Sequence, residues 1–509
     1  MSPNNRQIDW FVTLVPFLCV LALCVVLFIF PAQATETLQG IRYLLGDKGG
    51  IYYAVLGLGS FGLTLYIAFS DYGKIRLGKL DKPAYTSFQW GAMIFTSTMA
   101  ADILFFSFIE WALYGGEDHV KQLGDLQKWA PTFPLFHWGP IPWSFYIILA
   151  VAFGFMMHVK QRSKQRLSEA CRPLLGDKVD GAIGRGIDLI GVFSLIAGTA
   201  TTFSVATPLL SSAISRLFRL ANTPVLNIVI LLIIALIYTA VVTMGMEAVS
   251  RLASYCSYLF LAILFYVLFF GGETIYILET GFSALGNLAQ EFVGLATWMD
   301  PLRQTSFPQN WTFYYWAYWM VWCVATPFFI GTISKGRTIK ETILGAYSWG
   351  LAGTFTSFII LGNYGLAQQL KHGVDTLGFL NNGGSYAEAI IQVVDTLPMS
   401  SLGLCLLVIT MVAFYATTFD SLTLVVSSYS YKNLLPDQEP SKGIKLFWSV
   451  IFILFPIALI FSESSLFSLQ SVSIIAAFPL GIIIIIIILS FFKDAKNYLN
   501  KLGKDSSKK

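Results

Sequence analysis

Long apolar stretches separated by short charged ones recur from one end of the chain to the other. Twelve stand out, at approximately 9–31, 50–72, 86–115, 134–158, 186–212, 224–245, 251–280, 310–333, 342–363, 400–430, 443–462 and 466–492. Each holds about 20 residues or more, enough for a helix to cross the roughly 30 Å hydrocarbon layer of a bilayer. The pattern predicts an all-α polytopic membrane protein with 12 transmembrane helices. After the seventh span, residues 282–300 place apolar side chains at helical spacing with few charges, which predicts an amphipathic helix along the outer face.

Three spans break the apolar pattern. The third carries TSTMAAD from Thr96 to Asp102, the eighth carries NWTFYYWAYWMVW from Asn310 to Trp322 with Pro327 beyond it, and the tenth carries YATTFDS from Tyr415 to Ser421. Polar groups and irregular backbone at membrane depth are tolerated where they are buried in protein or line a cavity. Their clustering predicts a transporter with a midplane site, and spans three to seven and eight to twelve then read as two inverted repeats of five.

Composition narrows the class further. Of 509 residues, 55% are hydrophobic and 12% charged, too little charge for a soluble protein of this size. Basic residues gather in alternate loops: Lys74, Arg76, Lys79 and Lys82; Lys160, Arg162, Lys164, Arg166 and Arg172; Lys335, Arg337 and Lys340. That bias predicts both termini in the cytoplasm. It makes the net charge of +4 a topology signal, not a nucleic-acid footprint. PAQA ends at Ala34 like a signal-peptidase site, but the apolar run before it is longer than a signal core, so an uncleaved helix is expected. The six cysteines form no CxxC pair and suggest neither a disulfide framework nor a zinc site. The organisation expected is 1–85, two accessory spans; 86–281, the first repeat; 282–309, the surface helix and connector; 310–492, the second repeat; and 493–509, a short basic tail that is solvated or meets anionic lipid.

The aromatic cluster has a chemical use. A quaternary ammonium offers no conventional hydrogen bond, and its attractive partner is the face of Trp or Tyr, worth about 2 kcal/mol when desolvated. An interfacial aromatic belt accounts for Trp311 better than for Trp319 or Trp322, which lie deeper in the span. Asp102 points to function as well, because a carboxylate at membrane depth costs about 2.5–3.5 kcal/mol on insertion scales. It would bind a transported proton or balance a cationic substrate.

These residues resemble the betaine/choline/carnitine transporters over essentially the whole chain. The family's eighth-span signature W-T-x-F-Y-W-x-W-W stands here as Trp311, Thr312, Phe313, Tyr314, Tyr315, Trp316, Ala317, Tyr318, Trp319. FHWGPIPW from Phe136 to Trp143 and ISKGRT from Ile333 to Thr338 agree as well. The resemblance implies a five-helix inverted repeat, a homotrimer and a bacterial-type cytoplasmic (inner) membrane. It places the substrate cage on Trp138, Trp143 and Tyr146 of the fourth span and Tyr318, Trp319 and Trp322 of the eighth, with Trp311, Tyr315 and Trp316 as a gate or outer aromatic site. His137 is read as a structural hydrogen-bonding residue.

The chain departs from the family pattern in places. Tyr318 stands where Trp is usual. The glycine-rich G-M-G-x-G of sodium-coupled members has become Thr98, Met99, Ala100, Ala101, Asp102, and Asp102 followed by Ile103, Leu104, Phe105 and Phe106 resembles the proton-coupled choline carriers. Cation coupling is accordingly assigned to Asp102, Thr96 and Met99, with Thr417 and Thr418 matching a tenth-span hydroxyl pair that holds sodium in relatives. Back-bonding to a helix carbonyl is the alternative for that pair. Cys256 aligns with the arginine of sodium-independent exchangers, so that device is absent. Asp420 and Glu110 are read as helix-to-helix hydrogen-bonding groups.

The resulting expectation is proton-coupled uptake of choline or a related trimethylammonium solute, with no cofactor beyond a coupling proton or sodium. Sodium-coupled glycine betaine symport, carnitine or γ-butyrobetaine exchange, and a transporter-like sensor are the alternatives. The histidines, His119, His137, His158 and His372, are scattered, with no HExxH, G-x-S-x-G or P-loop to suggest an enzyme.

Overall fold

The computed structural model describes residues 7–97, 100–162, 164–244, 246–432, 434, 438–461 and 466–506. Among these residues the chain is helical, with no strand beyond the isolated bridges Ile8–Tyr431 and Arg76–Thr338. Eight helices are long and apolar enough to cross a membrane, or eleven when three bent pairs each count as one span. The remaining predicted span, the sixth, is the helix Pro224–Met244, of which the stretch Pro224–Ile237 falls short of that length. The chain is thus an all-α polytopic membrane protein.

The bends lie where the sequence turns polar or loses side chains. The third span divides into Ser87–Thr96 and Ala101–Gly115, bent by 69°, and every residue of the second half is buried. A capping box between Thr86 and Gln89 starts the first half. The eighth divides into Pro308–Val324 and Thr326–Ile333, bent by 57°. Pro327 sits in the opening turn of the second piece, where a missing N–H costs little.

Two sequence expectations need correction. The seventh span, expected over 251–280, stops at Phe270. Gly271 follows, and Gly272 takes a left-handed φ of +81° that ends the helix. The chain then turns through 110° into Thr274–Thr297, so the amphipathic helix starts at Thr274 and not at 282. Its Ile277, Gly281, Ala284 and Leu288 are buried, while Ile275, Leu278, Phe282 and Val293 stay exposed. The twelfth span also overruns its expected end: the helix Leu466–Ser506 carries most of the supposed tail. Asp494 there pairs with Arg162 and lies 3.4 Å from Lys160, and Ala495 is buried. The start of the tail is docked on the loop after the fourth span because Asp494 has basic partners there.

That loop forms an ionic cluster. Arg166 donates to Asp188 at 3.1 Å and to the Tyr429 carbonyl at 3.0 Å, and the amide and hydroxyl of Ser168 donate to Asp188 at 3.2 and 3.0 Å. Arg172 clamps Glu169 and Asp180, each at 2.8 Å.

Small residues let the fourth and eighth spans approach closely. A Cβ on Gly331 would stand 2.8 Å from the Ala150 carbonyl oxygen and 2.9 Å from the Gly154 nitrogen. Beside this contact Phe153 and Phe328 stack at 3.7 Å. In membranes such close approach supplies the dispersion and packing that hold helices together. Here it brings the fourth-span aromatics against those of the eighth.

Candidate functional site

Trp319 is the hub of an aromatic box. Its ring centroid lies 4.8 Å from Tyr146, 5.5 Å from Trp143 and 5.7 Å from Trp138, and all four side chains are buried. Trp138 is fixed from behind: its indole N–H donates to Glu110 Oε2 at 2.9 Å, and the hydroxyl of Tyr114 donates to the other oxygen of the same carboxylate. His137 spans the Tyr114 hydroxyl at 2.6 Å and the Thr312 hydroxyl at 2.9 Å. Glu110 and His137 therefore work as scaffold, holding the fourth-span rings to the third and eighth spans. Trp143 fits because position 350 is glycine, where a Cβ would come within 2.5 Å of its ring. The indole N–H groups of Trp143 and Trp319 have no hydrogen-bond partner among the described residues.

The other expected aromatics separate. Trp311 and Tyr315, one helical turn apart, stack at 6.3 Å, and Tyr315 continues to Trp138 at 5.8 Å. Trp316, one residue on and about 100° round the helix, faces away and packs against Gly57 of the second span. It does not share a site with Trp311 and Tyr315. Trp322 is half-buried, joins none of the ring pairs among the described residues, and lies against Gly198 of the fifth span.

Asp102 adjoins the box. Its carboxylate is 5% exposed and accepts a hydrogen bond at Oδ2 from the Tyr318 hydroxyl. The Thr202 hydroxyl lies 2.5 Å from that of Tyr318 and 3.4 Å from Asp102 Oδ2. Phe106, one turn after Asp102, touches both Tyr318 at 6.4 Å and Trp138 at 5.8 Å between centroids. Carboxylate and box thus share one face of the third span. No ion pair reaches Asp102 among the described residues. Sequence reasoning passed over Thr202. Its signal is the hydroxyl run Thr199, Thr201, Thr202, Ser204 and Thr207 in the long fifth-span helix Ala182–Phe218, which parallels the tenth-span run already noted.

Two of the remaining coupling candidates, Thr417 and Thr96, are bonded to backbone. Thr417 donates to the carbonyls of Ala413 at 3.2 Å and Phe414 at 3.1 Å, and lies 3.7 Å from Cys256 Sγ. The position aligned with the exchanger arginine therefore abuts the tenth-span hydroxyls. Thr418 is half-buried beside them. Thr96 donates to the Ala92 carbonyl at 2.9 Å. Thr98 and Met99 lie outside the described residues, as does the side chain of Asp420.

Comparison with known proteins bears on this geometry. The profile of the betaine/carnitine/choline family of transporters matches residues 11–500. A carnitine transporter of Acinetobacter baumannii is 28% identical over 427 residues, covering 83% of this chain and 77% of that protein. A probable glycine betaine transporter of Desulfitobacterium hafniense is 28% identical, covering 91% and 92%. A glycine betaine transporter of Bacillus subtilis is 27% identical, covering 94% and 92%.

Proposed function

The chain belongs to the betaine/carnitine/choline transporter family, and from that premise we propose that it carries choline or a related trimethylammonium solute together with a proton. Membership makes it a transporter of betaine, carnitine or choline type and not an enzyme. The finer reading is carried by one observation: Asp102 is buried beside the aromatic box with hydroxyl and backbone N–H partners and no ion pair among the described residues. A lone carboxylate at that depth suits a site whose occupant, proton or ammonium, brings the positive charge. The rings of Trp138, Trp143, Tyr146 and Trp319 supply the faces that a trimethylammonium group needs. The proposal includes inverted repeats built from spans three to seven and eight to twelve, a homotrimer, and both termini in the cytoplasm of a bacterial inner membrane.

A zwitterionic substrate such as glycine betaine is the second reading, favoured by the unpaired indole N–H groups of Trp143 and Trp319, which a carboxylate would satisfy.

Asp102→Asn keeps shape and hydrogen bonding and removes the titratable group. In proteoliposomes it should abolish acid-stimulated accumulation of labelled choline while counterflow stays measurable, and Asp102→Gly should shift preference from choline towards glycine betaine. If Asp102→Asn accumulates choline with the same dependence on the proton gradient, Asp102 is structural and the proton reading fails.

A further inference from the structure

We propose that Tyr318 and Thr202 are positioning residues that form, with Asp102, a reversible hydrogen-bond chain whose direction follows the protonation of the carboxylate. The proposal rests on the reading of Asp102 as the coupling group. Three helices from distant parts of the sequence meet here, and Tyr318 is the middle link. Its hydroxyl donates to Asp102 Oδ2 while standing 2.5 Å from the Thr202 hydroxyl. All three groups are buried.

A buried polar group left unpaired costs about 1–3 kcal/mol, so an acid that cycles between two protonation states needs a partner that can reverse its role. With Asp102 ionised, Thr202 donates to Tyr318 and Tyr318 donates to Asp102. With Asp102 protonated, its O–H donates to the Tyr318 oxygen, Tyr318 donates to Thr202, and the Thr202 proton turns to a helix carbonyl, as the hydroxyls of Thr199 and Thr201 already do at 2.6 and 3.0 Å. A hydroxyl both donates and accepts, whereas an indole N–H only donates. Tryptophan at 318 would serve the ionised acid and leave the protonated one without an acceptor there. Tyr318 and Asp102, the two departures from the pattern that the resemblance implies, are in contact.

The transported proton is taken onto Asp102 Oδ2 from water on one side and returned to water on the other. Tyr318 and Thr202 reorient but keep their own protons. The titratable groups facing Asp102 are Tyr318 and Tyr314 of the eighth span, Tyr146 of the fourth and Tyr415 of the tenth. None of them supplies a competing cation.

The test compares proton-driven accumulation of choline, its pH profile, and counterflow at equal pH on both sides, in proteoliposomes of the full chain. Tyr318→Phe and Tyr318→Trp should lower accumulation by about tenfold, the loss of one buried hydrogen bond, shift its pH profile, and lower counterflow by less than they lower accumulation. Thr202→Val should act in the same direction, and Thr202→Ser, which restores the hydroxyl, should recover the wild-type profile. Tyr318→Phe with an unchanged pH profile, in a protein where Asp102→Asn still loses acid-stimulated accumulation, overturns the chain while leaving the coupling role of Asp102 intact. Equal loss of counterflow and accumulation in Tyr318→Phe and Thr202→Val assigns both residues a structural role and also overturns it.

Discussion

Asp102 and Asp188 are both nearly inaccessible, at 5% and 2% exposure, yet their surroundings are opposite. Asp188 is matched by Arg166 and by two donors from Ser168, within a cluster where Arg172 likewise answers Glu169 and Asp180. Asp102 receives only hydroxyls and the backbone N–H groups at the start of its own helix, with no cation beside it among the described residues. Where a buried charge is structural, its partner is built in with it. Where the partner is absent, the site is arranged for one that arrives and leaves.

The largest effect should come from breaking the paired site. Asp188→Ala strands the Arg166 guanidinium and should cost about 3–5 kcal/mol of stability, read as a fall in the thermal or denaturant midpoint of the detergent-solubilised protein. Asp102→Asn, which leaves no unpaired charge, should shift stability by less than about 1 kcal/mol. The reverse order would dissolve the distinction between the two carboxylates.

Within the unpaired site, the contrast sharpens along a single helix. Trp319→Leu removes the central aromatic face and about 2 kcal/mol of cation–π attraction, so binding of choline or glycine betaine should weaken roughly thirtyfold by isothermal titration. Trp316→Leu, three residues earlier and facing Gly57, should leave affinity within about twofold of wild type. Trp322→Leu should fall between them, since its ring sits against Gly198, outside the box.

The smallest effect concerns a paired carboxylate outside the membrane. Burial alone would raise the Asp300 carboxyl, but the backbone N–H groups of Thr305, Gln304 and Ser306, at 2.9, 3.0 and 2.8 Å, outweigh it and hold the group below the ordinary carboxylate value. Because the folded value lies below the unfolded one, its stabilisation is complete above about pH 4 and is lost as pH falls through the folded value. Asp300→Asn should flatten that acid limb of the stability profile, by about 1 kcal/mol. An unchanged limb would show that the pairing at Asp300 contributes nothing measurable.

Much of this arrangement is legible in the sequence because a bilayer penalises the same things everywhere. Apolar runs mark the spans, and the polar cluster at Thr96–Asp102 and Pro327 beyond Trp322 mark two of the bends. The turn at Gly271–Gly272 is equally available in the letters, with Glu273 behind it, but apolar residues resume at Ile275–Leu278 and blur that signal. The partnership of Asp102 with Tyr318 and Thr202 was not legible, because those residues lie far apart in sequence and no periodicity links them. Trp316 misled for the opposite reason: one letter from Tyr315, it resembles its neighbours in chemistry and points elsewhere.

The break between Thr96 and Ala101 has a last consequence. Because the second half of the span begins at Ala101, Asp102 lies in its first turn, where aligned peptide dipoles concentrate roughly half a positive elementary charge. Carboxylate and helix end together leave about half a negative charge facing the aromatic box. An arriving cation is drawn in by that residual field without falling into the well of a full unit charge, so the same geometry that favours capture also permits release.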